Sequence, residues 1–130
     1  MTTALPITET IAKMAHEIVR AYCQAIGDMS QPAWEDAPEW QKAGIRKGVE
    51  MHLANPHITP QESHIAWLEH KKNEGWKWGP VKSESLKEHP CCLPYESLPE
   101  AQKAKDHIFK AVVAQLTLVS LRTKRSLRTL

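Results

Sequence analysis

A chain of 130 residues with 42% hydrophobic and 25% charged side chains has the composition of one globular domain with a modest core, which excludes wholesale disorder. Its formal charge of +2 belongs to its end: Arg122, Lys124, Arg125 and Arg128 stand in the last nine residues without an acid, and without those four charges the body carries −2. A slightly acidic body lacks the basic face that a nucleic-acid duplex requires.

Three cysteines, Cys23 and the adjacent pair Cys91-Cys92, form no Cys-x-x-Cys clip, and the odd count suits a reducing compartment. No apolar run reaches the roughly 20 residues of a membrane span, and Met1-Thr-Thr-Ala-Leu-Pro is not a secretory leader. A cytoplasmic protein is expected, with one domain over residues 1–121 and a basic, frayed tail over 122–130.

In chain order, Ile7, Ile11, Met14, Ile18, Tyr22 and Ile26 recur at helical spacing and predict a first helix from Thr8 to Ile26. Thr8 serves as its cap and Gly27 as its stop. A turn-rich stretch from Asp28 to Asp36 leads to a second helix opened by Ala37-Pro38 and ended by Asn55-Pro56. On it, Gly44 and Gly48 make a thin face that another element can approach. Thr59-Pro60-Gln61-Glu62 spells a capping box for a third helix, with His64, Trp67, Leu68 and Lys71 on its inner face and Gly75 at its end. Leu98-Pro99 opens a fourth helix, whose stripe is Ile108, Val112, Leu116 and Val119, with Phe109 and Val113 beside it. The fold class is mainly α, four helices with one irregular arm.

That arm is the most unusual part of the chain. Residues 64–99 hold three of the five Trp, two of the five Gly and four of the nine Pro, so both the backbone path and the placement of large rings are tightly specified. A short extended element over Trp78 to Val81 is expected, paired with Cys92 or Leu93.

Chemistry of the catalytic kind is not advertised. His52, His57, His64, His70, His89 and His107 lack the paired-ligand spacing of a metal site, and His64 and His89 read as hydrogen-bonding residues that fix the arm to the third helix. Cys91 and Cys92 stand near His89, but beside Leu93 they read as compact apolar filling rather than as nucleophiles. Lys77, Lys82 and Lys87 interleave with Trp76 and Trp78 instead, an arrangement suited to a ligand with a base to stack and a phosphate to neutralise. At least one of Trp67, Trp76 and Trp78 is expected in the core. Trp40 reads as core, and Trp34, in a loop, as a second candidate wall.

The series His64-x-x-Trp67-x-x-x-Lys71-x-x-x-Gly75-Trp76-x-x-Gly79-Pro80-Val81, then Lys87-x-His89-Pro90, Pro94-Tyr95-x-x-Leu98-Pro99 and Lys105-Asp106, closely resembles the ryanodine-receptor repeat, or RyR, domain. That domain occurs in pairs in the calcium-release channels and as small stand-alone proteins of bacteria and phages. The leading part, with Ile11-Ala, His16-Glu17, Arg20-Ala-Tyr22-Cys23, Gly27-Asp28, Ser30-Gln31, Trp34, Ala37-Pro38 and Trp40-Gln41, resembles the extension of the stand-alone members, and the two parts cover residues 8 to 115.

The resemblance implies an α-rich fold without enzymatic activity or cofactor. In the channels the paired domains hold an adenine nucleotide between aromatic rings, and bacterial members have been proposed to sense nucleotide-derived signals in defence. Carried over, stacking falls on Trp76, with Trp34 or Trp78 as the second ring and Lys82, Lys87 and Arg20 near phosphate. Trp78 stands where the family often has Tyr. This chain holds one repeat, so its own first half or a second copy has to complete a pocket built between repeats. The expected function is non-enzymatic binding of a nucleotide-like small molecule, in a phage setting the sequestration of an immune signal. The competing expectation is a protein-interaction or structural module.

Overall fold

The computed structural model describes residues 7–129, with side chains through residue 121. Among them are four helices, α1 (Ile7–Ala25), α2 (Glu39–Ala54), α3 (Pro60–Asn73) and α4 (Glu100–Thr129), and two short strands, β1 (Lys77–Trp78) and β2 (Glu88–His89). Single 3-10 turns stand at Trp34–Asp36 and Tyr95–Ser97. The class is mainly α, as the apolar periodicity demands.

Contacts gather in two compact units, Met1–His57 with Ile108–Leu130, and Ile58–His107. The first unit is built on α1, α2 and the rest of α4, around a core of Ile11, Ala12, Ala15, Trp34, Val49 and Val113. Small residues on α1 let its backbone come close to its neighbours. This explains a departure from the expected stripe: Ile11 is buried, whereas Ile7, Met14, Ile18 and Ile26 lie exposed on the other flank. Thr8 lies inside α1, so that helix's cap falls outside the described residues. The helix ends as expected, with Gly27 at a φ of 89°, its N–H on the Gln24 carbonyl and that of Asp28 on the Cys23 carbonyl at 2.8 Å. Pro38 stands just before α2 in extended geometry, one residue earlier than its expected place inside the helix. Gly48 does meet a close neighbour, since a Cβ there would lie 3.3 Å from the Phe109 ring, whereas nothing approaches Gly44. On α4, Val113 is fully buried and Phe109, Val112 and Leu116 pack against the core, but Val119 is exposed.

In the second unit, α3 begins with the capping box read from the sequence: the Glu62 amide donates to Thr59 Oγ1 at 3.1 Å and the Thr59 amide to Glu62 Oε1 at 3.0 Å. The expected pairing of Trp78 to Val81 with Cys92 or Leu93 does not occur. β1 pairs in parallel with β2, Lys77 with Glu88 and Trp78 with His89. Pro80 has no N–H with which to extend β1, and the amides of Cys92 and Leu93 are used in a turn, bonded to the carbonyls of His89 and Cys91. The carbonyl of Pro99 accepts from Gln102 and Lys103, so Pro99 precedes α4 instead of opening it. The backbone of the basic segment continues α4 as far as Thr129; its side chains lie outside the described residues.

Candidate ligand-binding surface

The arm of the second unit is organised by the end of α3. Gly75 takes a φ of 88°, its N–H bonds the Lys72 carbonyl at 3.0 Å, and the Trp76 N–H bonds the Lys71 carbonyl at 2.9 Å. This double closure turns the residue after the glycine back onto the last helical turn. Trp76 therefore lies against Lys71, whose Nζ sits 4.6 Å from the indole centroid and 5.9 Å from that of Trp67. The attraction between an ammonium and a ring face holds this arrangement. Trp76 is 8% exposed and belongs to the unit's interior.

His89 fills the space between the rings, edge-on to Trp67 at 5.0 Å and to Trp76 at 6.3 Å. Its Nδ1 accepts the Cys91 amide at 3.0 Å, which leaves the proton of the neutral ring on Nε2. Burial, reinforced by the ammonium groups of Lys82, Lys71 and Lys105, pushes its pKa down to about 4. His64 donates its Nε2–H to the Leu93 carbonyl at 2.7 Å and stacks on Trp67 at 5.5 Å. Both histidines thus bind the arm to α3, the role their positions suggested. Burial also raises the thiols, Cys91 to about 11, so neither is the thiolate a nucleophile needs at neutral pH. Among the described residues, no three His, Cys, Asp or Glu side chains gather as metal ligands.

Trp78 faces the other way. It is 52% exposed on β1, with the exposed side chains of Lys77, Lys82 and Lys87 in the same arm. The arm's surface also carries exposed Val81 and Leu86. Lys87 adopts a φ of 52° and donates through Nζ to the Glu74 carbonyl at 2.7 Å. Lys82 keeps an exposed flank, yet desolvation of its ammonium, with the like charges of Lys71 and Lys105, lowers its pKa. Those two lysines are the members of the cationic group that the expected site omitted. Lys71 was legible in principle, because Lys-x-x-x-Gly-Trp spells the closure that sets it on Trp76.

The remaining two expected site residues belong to the first unit, where they hold a loop. Trp34 is 5% exposed; its backbone N–H donates to Glu17 Oε2 at 2.8 Å, and its ring meets His16 at 5.9 Å with Lys42 and Arg46 over it. Arg20 donates to Glu17 at 3.0 Å and to the Gln31 carbonyl at 3.3 Å. The Trp34 amide, followed by the guanidinium of Arg20, holds the Glu17 carboxyl below its ordinary pKa. His16, through Nε2, reaches the Pro32 carbonyl at 2.7 Å, so one turn of α1 fastens the whole approach to Trp34.

No helix among the described residues is long and apolar enough to cross a membrane. A family model described as RyR domain matches residues 51–121. The match contains all of α3, the arm with both strands, and α4 up to its basic end; α1 and the Trp34 loop lie outside it. With more than half its length matched, and with the Gly-Trp closure, the two bracing histidines and the Pro-capped α4 all inside that span, this chain belongs to the RyR domain family.

Proposed function

We propose that the protein is a non-enzymatic binding protein for a small nucleotide-derived ligand, its base stacked on Trp78 and its phosphate met by Lys82, with Lys87 adding charge. The observation that carries this reading is the exposed indole of Trp78 on an arm lined with lysines. A base on such a ring gains about 1–3 kcal/mol. Desolvation, with the like charges of Lys71 and Lys105, already disfavours the Lys82 ammonium, and an incoming phosphate supplies the opposite charge that offsets it. Trp76, clasped by Lys71, acts in this reading as the support beneath the arm, so stacking shifts from Trp76 to the ring two residues on. The adenine-nucleotide binding implied for the paired domains of the channels supports the ligand class by analogy. In a phage, such a protein would sequester a host immune signal.

A second reading has its own support: Val81 and Leu86 stand 70% and 64% exposed on the same arm as Trp78, apolar side chains of the kind that a protein partner covers. Thermal melting and tryptophan fluorescence against a panel of nucleotides and cyclic oligonucleotides separate the two. The nucleotide reading expects at least one member to raise the melting temperature, and Trp78→Ala to bind about tenfold or more weakly with its own melting unchanged. A panel without effect, or a Trp78→Ala variant that binds as the wild type does, discards it in favour of the protein partner.

A further inference from the structure

The first unit leaves large apolar side chains of two helices uncovered. On α1, Met14 and Ile18 are 43% and 44% exposed; on α4, Leu118 and Leu121 are 45% and 55% exposed, with Ala111 and Ala114 exposed one and two turns before them. Between the two helices runs a groove of about 270 Å³, bordered by Ile18 on one side and by Ala111, Val112, Gln115 and Leu116 on the other. Large exposed apolar side chains on two neighbouring helices are the usual mark of a surface that is covered in the working protein.

The order of residues on α4 says what covers it. Positions 111, 114, 118 and 121 are separated by alternating steps of three and four, the seam of a helix that lies lengthwise on another helix. They also run small, small, large, large: Ala111, Ala114, Leu118, Leu121. Two copies of this helix laid antiparallel, with the two-fold axis at the level of residue 116, set Ala114 of each against Leu118 of the other and Ala111 against Leu121. Every layer then joins one large side chain to one small one, and the groove beside Ala111 receives the incoming leucine. A parallel pairing would oppose leucine to leucine and alanine to alanine, leaving voids that cost stability. Self-complementarity under a two-fold axis is what a homodimer interface requires.

We infer that this face is a homodimer interface, with α4 of one protomer antiparallel along α4 of its partner and the alanine pair of each receiving the leucine pair of the other. Sedimentation velocity of the full chain over a dilution series tests it. The wild type is expected to dimerise reversibly. Ala114→Glu places a carboxylate in the seam twice per dimer and is expected to raise the dissociation constant about a hundredfold or more, while the dilute monomer keeps its helical circular dichroism. Leu118→Ala is expected to weaken the dimer about tenfold, and the swapped double variant Ala114→Leu with Leu118→Ala to restore it; the swap conserves apolar content and so serves even if the glutamate disturbs the helix. A chain that stays monomeric throughout, or a dimer indifferent to Ala114→Glu, overturns the assignment and gives the face to a different protein. A dimer that the swap fails to restore overturns it as well.

Discussion

Gly79 is where the arm has least room. A Cβ at this position would lie 2.6 Å from the Cβ of Glu88 on the paired strand, and a Cβ cannot swing aside as a side-chain tip can. Gly79→Ala is expected to cost about 1–3 kcal/mol, read as a lower urea midpoint, and to expose Trp76, read as a red shift of its fluorescence. The same few residues show where sequence reading loses its grip. Trp76 and Trp78 are two apart, which on a continuous strand puts both rings on one face, and nothing in their identities tells the buried one from the exposed one. The difference is made by Gly75: its left-handed turn assigns Trp76 to the end of α3 and starts the strand only at Lys77. Trp34 was misleading for a similar reason. A loop residue by sequence, it is held inside by His16, Glu17 and Arg20, which are 14 to 18 positions away in the chain.

Helices were the most legible elements, because their ends are written locally. Thr59 and Glu62 exchange side-chain to amide hydrogen bonds at the start of α3, and Thr59→Ala is expected to cost about 0.5–2 kcal/mol, measured as a loss of thermal stability, with the amides of the first turn of α3 exchanging faster. Faces were less legible than ends. Periodicity says which positions of α1 share a side, but the side that meets the core is chosen by close approach, and Ala12 and Ala15 win over the larger Met14 and Ile18. The strands were found near their expected place but with the wrong partner. Two-residue strands carry no alternation to read; their register depends on which amides the turn after His89 leaves for pairing.

At the scale of the whole molecule, acid is the most telling perturbation. His89 remains neutral in the folded chain down to about 4, whereas an ordinary histidine takes up its proton near 6.5. Between those values the unfolded chain binds the extra proton, so the contribution of His89 to stability is complete above 6.5 and is lost progressively as the pH falls towards 4. Unfolding midpoints measured across that window are expected to decline for the wild type. They are expected to decline less for His89→Asn, whose side-chain oxygen can still accept the Cys91 amide but does not titrate. The division into two units had no trace in composition, since it depends on contacts between residues far apart in the chain. Residues 58–107 are inserted between the segments that build the first unit, and α4 begins in one unit and ends in the other. The family match starts at residue 51, inside α2, and closes at residue 121. A deletion series trimmed to that boundary would remove Ile11, Ala12, Ala15, Trp34 and Val49 while keeping Val113, Phe109 and Leu116. The retained half of α4 would then present a bare hydrocarbon flank to water, and the shortest fragment that carries the family signature would be a poor choice for expression.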